Sequence, residues 1–112
     1  MNISYDGIGQ LVVTFPAGDC VEGQVCMLDS LGRACTCAES DAFIGFVQSV
    51  DKNMASVIVE GFVKVSYTGT PPCYGSCGLL ADGNGGVLCC DDVECYLVAE
   101  LDTVSKTCVI KL

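Results

Sequence analysis

Ten cysteines and no histidine, in a chain of 112 residues, set the chemistry open to this sequence. Thiolates bind soft metals, exchange with disulfides and act as nucleophiles. Without histidine, Ser-His and Cys-His nucleophile pairs are excluded, as is a histidine general base. Zinc ribbons and knuckles use pairs of C-x2-C, a spacing that brings two thiolates together at tetrahedral angles, and none occurs here. The spacings present are Cys20-x5-Cys26, Cys35-x-Cys37, Cys73-x3-Cys77, Cys89-Cys90 and Cys90-x4-Cys95. Cys35 and Cys37 are expected on one face of a strand, and Cys73 and Cys77 around a loop. With Cys89 they are the residues from which an all-cysteine zinc or iron–sulfur site would have to be assembled. The competing expectation is that cysteine stands in for valine or alanine, packing as a small hydrophobe. Cys89 and Cys90, being adjacent, point to opposite faces of a strand and cannot both serve one site without a bulge. The expectation is no metal and no other cofactor.

Fourteen acidic residues offer carboxylates, but only Glu60 and Glu100 sit inside apolar runs, and both are expected to face solvent. No catalytic constellation survives, so the chain is expected not to be an enzyme. The pentad Asp82-Gly83-Asn84-Gly85-Gly86 invites a calcium reading. An EF-hand loop, however, needs an oxygen ligand at its fifth position and Glu at its twelfth, where this chain has Gly86 and Val93. The pentad is read instead as a tight hairpin turn, since Asp-Gly and Asn-Gly tolerate positive φ. Pro71-Pro72 is read as a stiff connector.

The elements that must position these residues are short strands. Expected strands are 10–15, 24–28, 33–38, the run 42–47, then 55–60, 62–67, 76–81, 87–90, 95–101 and 107–112, with a short helical turn as the alternative at 95–101. Asp51-Lys52-Asn53 reads as a hairpin loop. Phe62 to Tyr67 alternates cleanly, with Val63, Val65 and Tyr67 on one side. Phe43-Ile44-Gly45-Phe46-Val47 reads as a buried strand whose glycine lets another chain segment come close. No stretch sustains helical periodicity, and turn signals recur at strand-length intervals. The expected class is all-β, a small barrel or sandwich of short antiparallel strands. Residues 1–9 form an N-terminal arm or edge strand, with Ile3 and Tyr5 as its contact residues, and residues 10–112 form a single all-β domain. A shift of 52 positions lays VVTF on KVSY, Gly9 on Gly61, Gly23 on Gly75, Cys37 on Cys89 and Val57-Ile58 on Val109-Ile110, which raises two duplicated halves.

Composition narrows the partners. The chain is 51% hydrophobic and 17% charged, which is globular, and no apolar run is long enough to span a membrane. A net charge of -9, with no basic residue before Arg33, argues against nucleic acid and against anionic membrane surfaces. The N-terminus MNISYDGIGQ has neither the basic nor the apolar region of a signal peptide, so synthesis in a cytoplasm with reduced thiols is expected.

The order GDCVEGQV, DAFIGFVQSV, VIVEGFVKV, YGSCGLLADGNGGV and CVIKL resembles the small capsid cement, or head decoration, proteins of tailed bacteriophages. The likeness runs from about Leu11 to Leu112 and rests on the order and spacing of its parts. It implies an all-β structural protein on the outer capsid surface, bound to the major capsid protein. It also implies a homo-oligomer, often a trimer, that stabilises the head of the virion. Gly18, Gly23, Gly45, Gly61 and Gly75 match structural glycines of that pattern, and no catalytic residues carry over. The ten cysteines depart from it. Two other classes stay in view: a cysteine-thiolate metal-binding or redox module, and a tail β-module that binds host carbohydrate. The latter would need exposed aromatics, of which the chain has few.

Overall fold

The computed structural model describes residues 9–112. The arm contacts Ile3 and Tyr5 lie outside the described residues. Ten strands follow one another: β1 (Leu11–Pro16), β2 (Val25–Leu28), β3 (Ala34–Thr36), β4 (Gly45–Asp51), β5 (Met54–Glu60), β6 (Phe62–Thr68), β7 (Gly75–Ala81), β8 (Val87–Cys89), β9 (Cys95–Asp102) and β10 (Thr107–Lys111). The described residues contain no helix, so the fold is all-β.

Local chemistry explains most of the boundaries. Pro16 has no N–H to give a ladder, and β1 ends on it. The β4–β5 hairpin turns on Lys52 and Asn53, with Asp51 paired to Met54 and Lys52 at φ 55°. The pentad closes the β7–β8 hairpin, pairing Ala81 with Val87. There the Asp82 carboxylate accepts the Asn84 N–H at 2.7 Å and the Gly86 N–H at 3.0 Å. Along β6, Val63, Val65 and Tyr67 are buried while Lys64, Ser66 and Thr68 are exposed. One expectation needs correction, at β4, while the strand expected at 95–101 is present. The ladder of β4 begins at Gly45, because the preceding Phe43 has already turned into the core and Ile44 only touches β2 through the Cys26 carbonyl. Residues 95–101 form strand, with no helical turn, since β9 is held between β7 and β10.

The ten strands divide into two sets of five. The first is an open sheet in the order β1-β5-β4-β2-β3, and the second is a closed barrel in the order β10-β6-β8-β7-β9. The shift of 52 carries β1 to β5 onto β6 to β10. Every ladder of the first set then has its counterpart in the second: β1–β5 with β6–β10, β5–β4 with β10–β9, β4–β2 with β9–β7, and β2–β3 with β7–β8. One ladder differs. In the second set β6 and β8 pair in parallel and close the barrel. In the first set a lone parallel bridge, Ala17 to Ala34, stands where that ladder would be.

The larger core fills the barrel with Val63, Val65, Tyr67, Leu79, Ala81, Val87, Val98 and Ile110. Val25, Cys37, Phe43 and Ile58 from the first set join it, so the two sets share one apolar interior. A smaller core of Cys26, Ala34, Val47, Ala55 and Val57 lies within the first set. Full burial of each valine, leucine, isoleucine or phenylalanine in these cores is worth about 1.5–3 kcal/mol.

Candidate functional site

The five candidate cysteines fall into two groups. Cys77 and Cys89 meet at the mouth of the β7–β8 hairpin, with Cys73 near enough to act on Cys89 by charge; Cys35 and Cys37 lie in the first set. Cys77 is buried on β7, and its Sγ is 3.4 Å from the Sγ of Cys89 on β8. Since Leu79 is the residue paired with Cys89, this contact runs diagonally across the ladder. The hydrogen bond with Cys77, with burial second, raises the Cys89 thiol to about 11. Cys73, exposed, adds its charge to that shift, and Cys77 does the same to the buried Cys108, which burial first lifts to about 11.

Cys35 and Cys37 were expected on one strand face, and this is corrected. β3 ends at Thr36, because the chain leaves the ladder there for the turn at Glu39. Cys37 passes into the shared core, where burial, then Asp41, lifts its thiol to about 11. Cys35 stays half-buried near Asp19 and Asp29. Among the described residues, no three cysteine or carboxylate side chains are grouped as metal ligands. Cys90 and Cys95 each donate to a loop carbonyl, of Asp91 and Val93.

Glu60 and Glu100, the two carboxylates singled out, form no pair among the described residues. Glu60 is exposed at the end of β5, and Glu100 is half-buried on β9. Beside Glu100 a crevice of about 20 Å³, lined by Lys64, Asp102 and Thr107, has room for little more than one water. A wider hollow of about 260 Å³ opens between the two sets, lined by Phe43, Ile44, Val59, Glu94, Tyr96 and Leu112. At its floor the rings of Phe43 and Tyr96 stack, with centroids 4.9 Å apart and planes at 22°. Burial, then the neighbouring Glu94 carboxylate, pushes the Tyr96 hydroxyl up to about 12.

The remaining feature is an edge. Among the described residues β1 has a ladder with β5 alone, and only the Ala17–Ala34 bridge, just past its end, links it towards β3. Leu11 and Val12 on this edge are 48% and 41% exposed. An open edge with apolar side chains is what soluble proteins ordinarily shield. The five matched glycines sit around the fold. Gly18 packs beneath the Ala34 carbonyl, Gly45 against Val57 and Ile58, Gly61 against Gln10, while Gly23 in a turn and Gly75 at the start of β7 have positive φ. Sequence reasoning missed the Cys77–Cys89 contact, because the diagonal is fixed by strand register and leaves no trace in residue spacing.

Comparison with family models, curated proteins and solved structures found no match to this chain.

Proposed function

We propose that the protein is a non-enzymatic capsid decoration protein of a tailed bacteriophage, binding the outer surface of the shell and stabilising the head. The observation that carries this reading is the unclosed first set. Five strands repeat the connectivity of a barrel, yet the β1–β3 ladder that would match β6–β8 and close the set is reduced to a single bridge beside an exposed apolar strand. An edge of this kind adds a strand from a partner through main-chain hydrogen bonds, with side-chain contacts giving selectivity. The major capsid protein is the partner proposed, with further copies of this chain, as a trimer, around it. The charge of -9 keeps free copies apart in solution and disfavours nucleic acid and anionic membranes as partners. Synthesis in the host cytoplasm and residence on the virion surface follow from the same reading.

The carbohydrate-binding alternative draws less support, since Phe43 and Tyr96 spend their facing ring surfaces on each other. The decisive experiment mixes purified protein with expanded empty shells of the phage that encodes it. Saturable co-sedimentation and a higher shell melting temperature are expected. Shells that melt at one temperature with and without the protein would overturn the reading.

A further inference from the structure

We propose that Cys77 and Cys89 are a disulfide-forming pair, a redox modification site that locks the barrel closed when the protein meets small-molecule disulfides. The inference stands apart from the identity of the docking partner. It begins with distance: the two sulfurs are 3.4 Å apart while both are thiols, so bond formation needs only a small approach. Access comes next. Cys77 is 5% exposed, whereas Cys89 is half-buried and reachable from solvent.

The internal repeat supplies an independent argument. The shift of 52 lays Cys89 on Cys37 but Cys77 on Val25. Val25 and Cys77 belong to the same apolar core, so packing at this position is satisfied by a valine in the first set. The thiol at Cys77 is therefore dispensable for packing, and what it adds over valine is chemistry.

The step balances with an aliphatic disulfide as oxidant. The Cys89 thiolate attacks one sulfur of the oxidant, bonding to half of it and expelling the other half as a thiolate that takes up a proton. The Cys77 thiolate then attacks the Cys89 sulfur, forming the Cys77–Cys89 bond and expelling the second half as a thiol. Two cysteine thiols are oxidised and one external disulfide is reduced to two thiols. The product ties β7 to β8. That matters because β8 is three residues long and holds β6 by only two parallel pairs, Tyr67 with Val87 and Thr68 with Leu88. A covalent tie to β7 keeps the closing strand in place.

The test treats the folded, fully reduced chain with oxidised glutathione and stops the reaction by alkylation in denaturant once each molecule has lost two hydrogen atoms by intact mass. Trypsin leaves Cys73, Cys77, Cys89, Cys90 and Cys95 in one fragment, so the protein is cut at aspartate, which separates Cys77 from Cys89 at Asp82, and fragmentation of the linked peptides shows which of Cys73 or Cys77, and of Cys89 or Cys90, carries the alkyl group. The expected first linkage is Cys77–Cys89, with a raised melting temperature that returns to the starting value on reduction. In Cys77→Val, the reduced protein is expected to melt like the reduced wild type and to gain nothing on oxidation. The proposal is overturned if the first linkage joins Cys89 to Cys73, or Cys77 to Cys108, or if both Cys77 and Cys89 remain alkylated. It is likewise overturned if Cys77→Val gains the same melting increment as the wild type.

Discussion

Gly45 and Val57 meet so closely across β4 and β5 that a Cβ at position 45 would lie 2.5 Å from Val57 Cγ1 and 2.6 Å from the Ile58 carbonyl oxygen. No side chain fits there without moving the backbone of β5, the central partner of both β1 and β4. Gly45→Ala is expected to destabilise the protein by about 1–3 kcal/mol, as overpacking does in a dense core. Adding Val57→Ala should recover little, because the Ile58 carbonyl remains in the way. Urea denaturation of the two variants checks both statements.

The Asp82 carboxylate organises the β7–β8 turn by accepting two backbone N–H groups. Asp82→Ala leaves both donors without that acceptor and is expected to cost about 1.5–3 kcal/mol, the range for a hydrogen bond to a charged group. Amide exchange should localise the loss. The Asn84 and Gly86 protons should exchange faster, and those of β5 should not change.

Stability should collapse in alkali. Burial lifts Cys26 to about 12 and Cys37 and Cys108 to about 11, against an ordinary thiol value of 9.0. In each case the folded value lies above the unfolded one. The stabilisation from keeping these thiols neutral is therefore complete below pH 9.0 and is lost as pH rises through about 11 to 12. The urea midpoint, measured under reducing conditions, should be flat up to about pH 8.5 and fall steeply above pH 9. Cys26→Ala should make that fall shallower.

The open β1 edge is expected to tolerate charge in the free protein and not in the complex. Val12 is 41% exposed, so Val12→Lys should change stability by no more than about 0.5 kcal/mol. On the proposed function, the same change should weaken binding to expanded shells at least tenfold, read by co-sedimentation. Lys52→Glu, in the exposed turn at the tip of the β4–β5 hairpin, serves as the charge control and should bind as the wild type does.

The strands were legible because their signals are local. Alternation marks β6, the pentad marks the β7–β8 turn, and Pro16 marks the end of β1. The shift of 52 was also visible, though few identities carried it; the ladders give it a physical basis, since both sets repeat one connectivity. What the sequence hid depends on register and on distant partners. Nothing in 87–89 announces a parallel partner in β6, and residue spacing alone places Cys77 beside Cys73 rather than Cys89. Cys35 and Cys37 misled for the same reason, because a strand's end is decided by where its neighbour stops. Phe43 belonged to the expected strand by type but is held by the core and Tyr96, not by a ladder.

The second set is entered and left at one point, since the Leu112 N–H donates to the Gly61 carbonyl at 2.8 Å. The two ends of the barrel therefore lie side by side, as circular permutation requires, while its interior stays shared with the first set. A peptide inserted at this junction would emerge beside the hollow lined by Ile44, Val59 and Leu112, between the two sets.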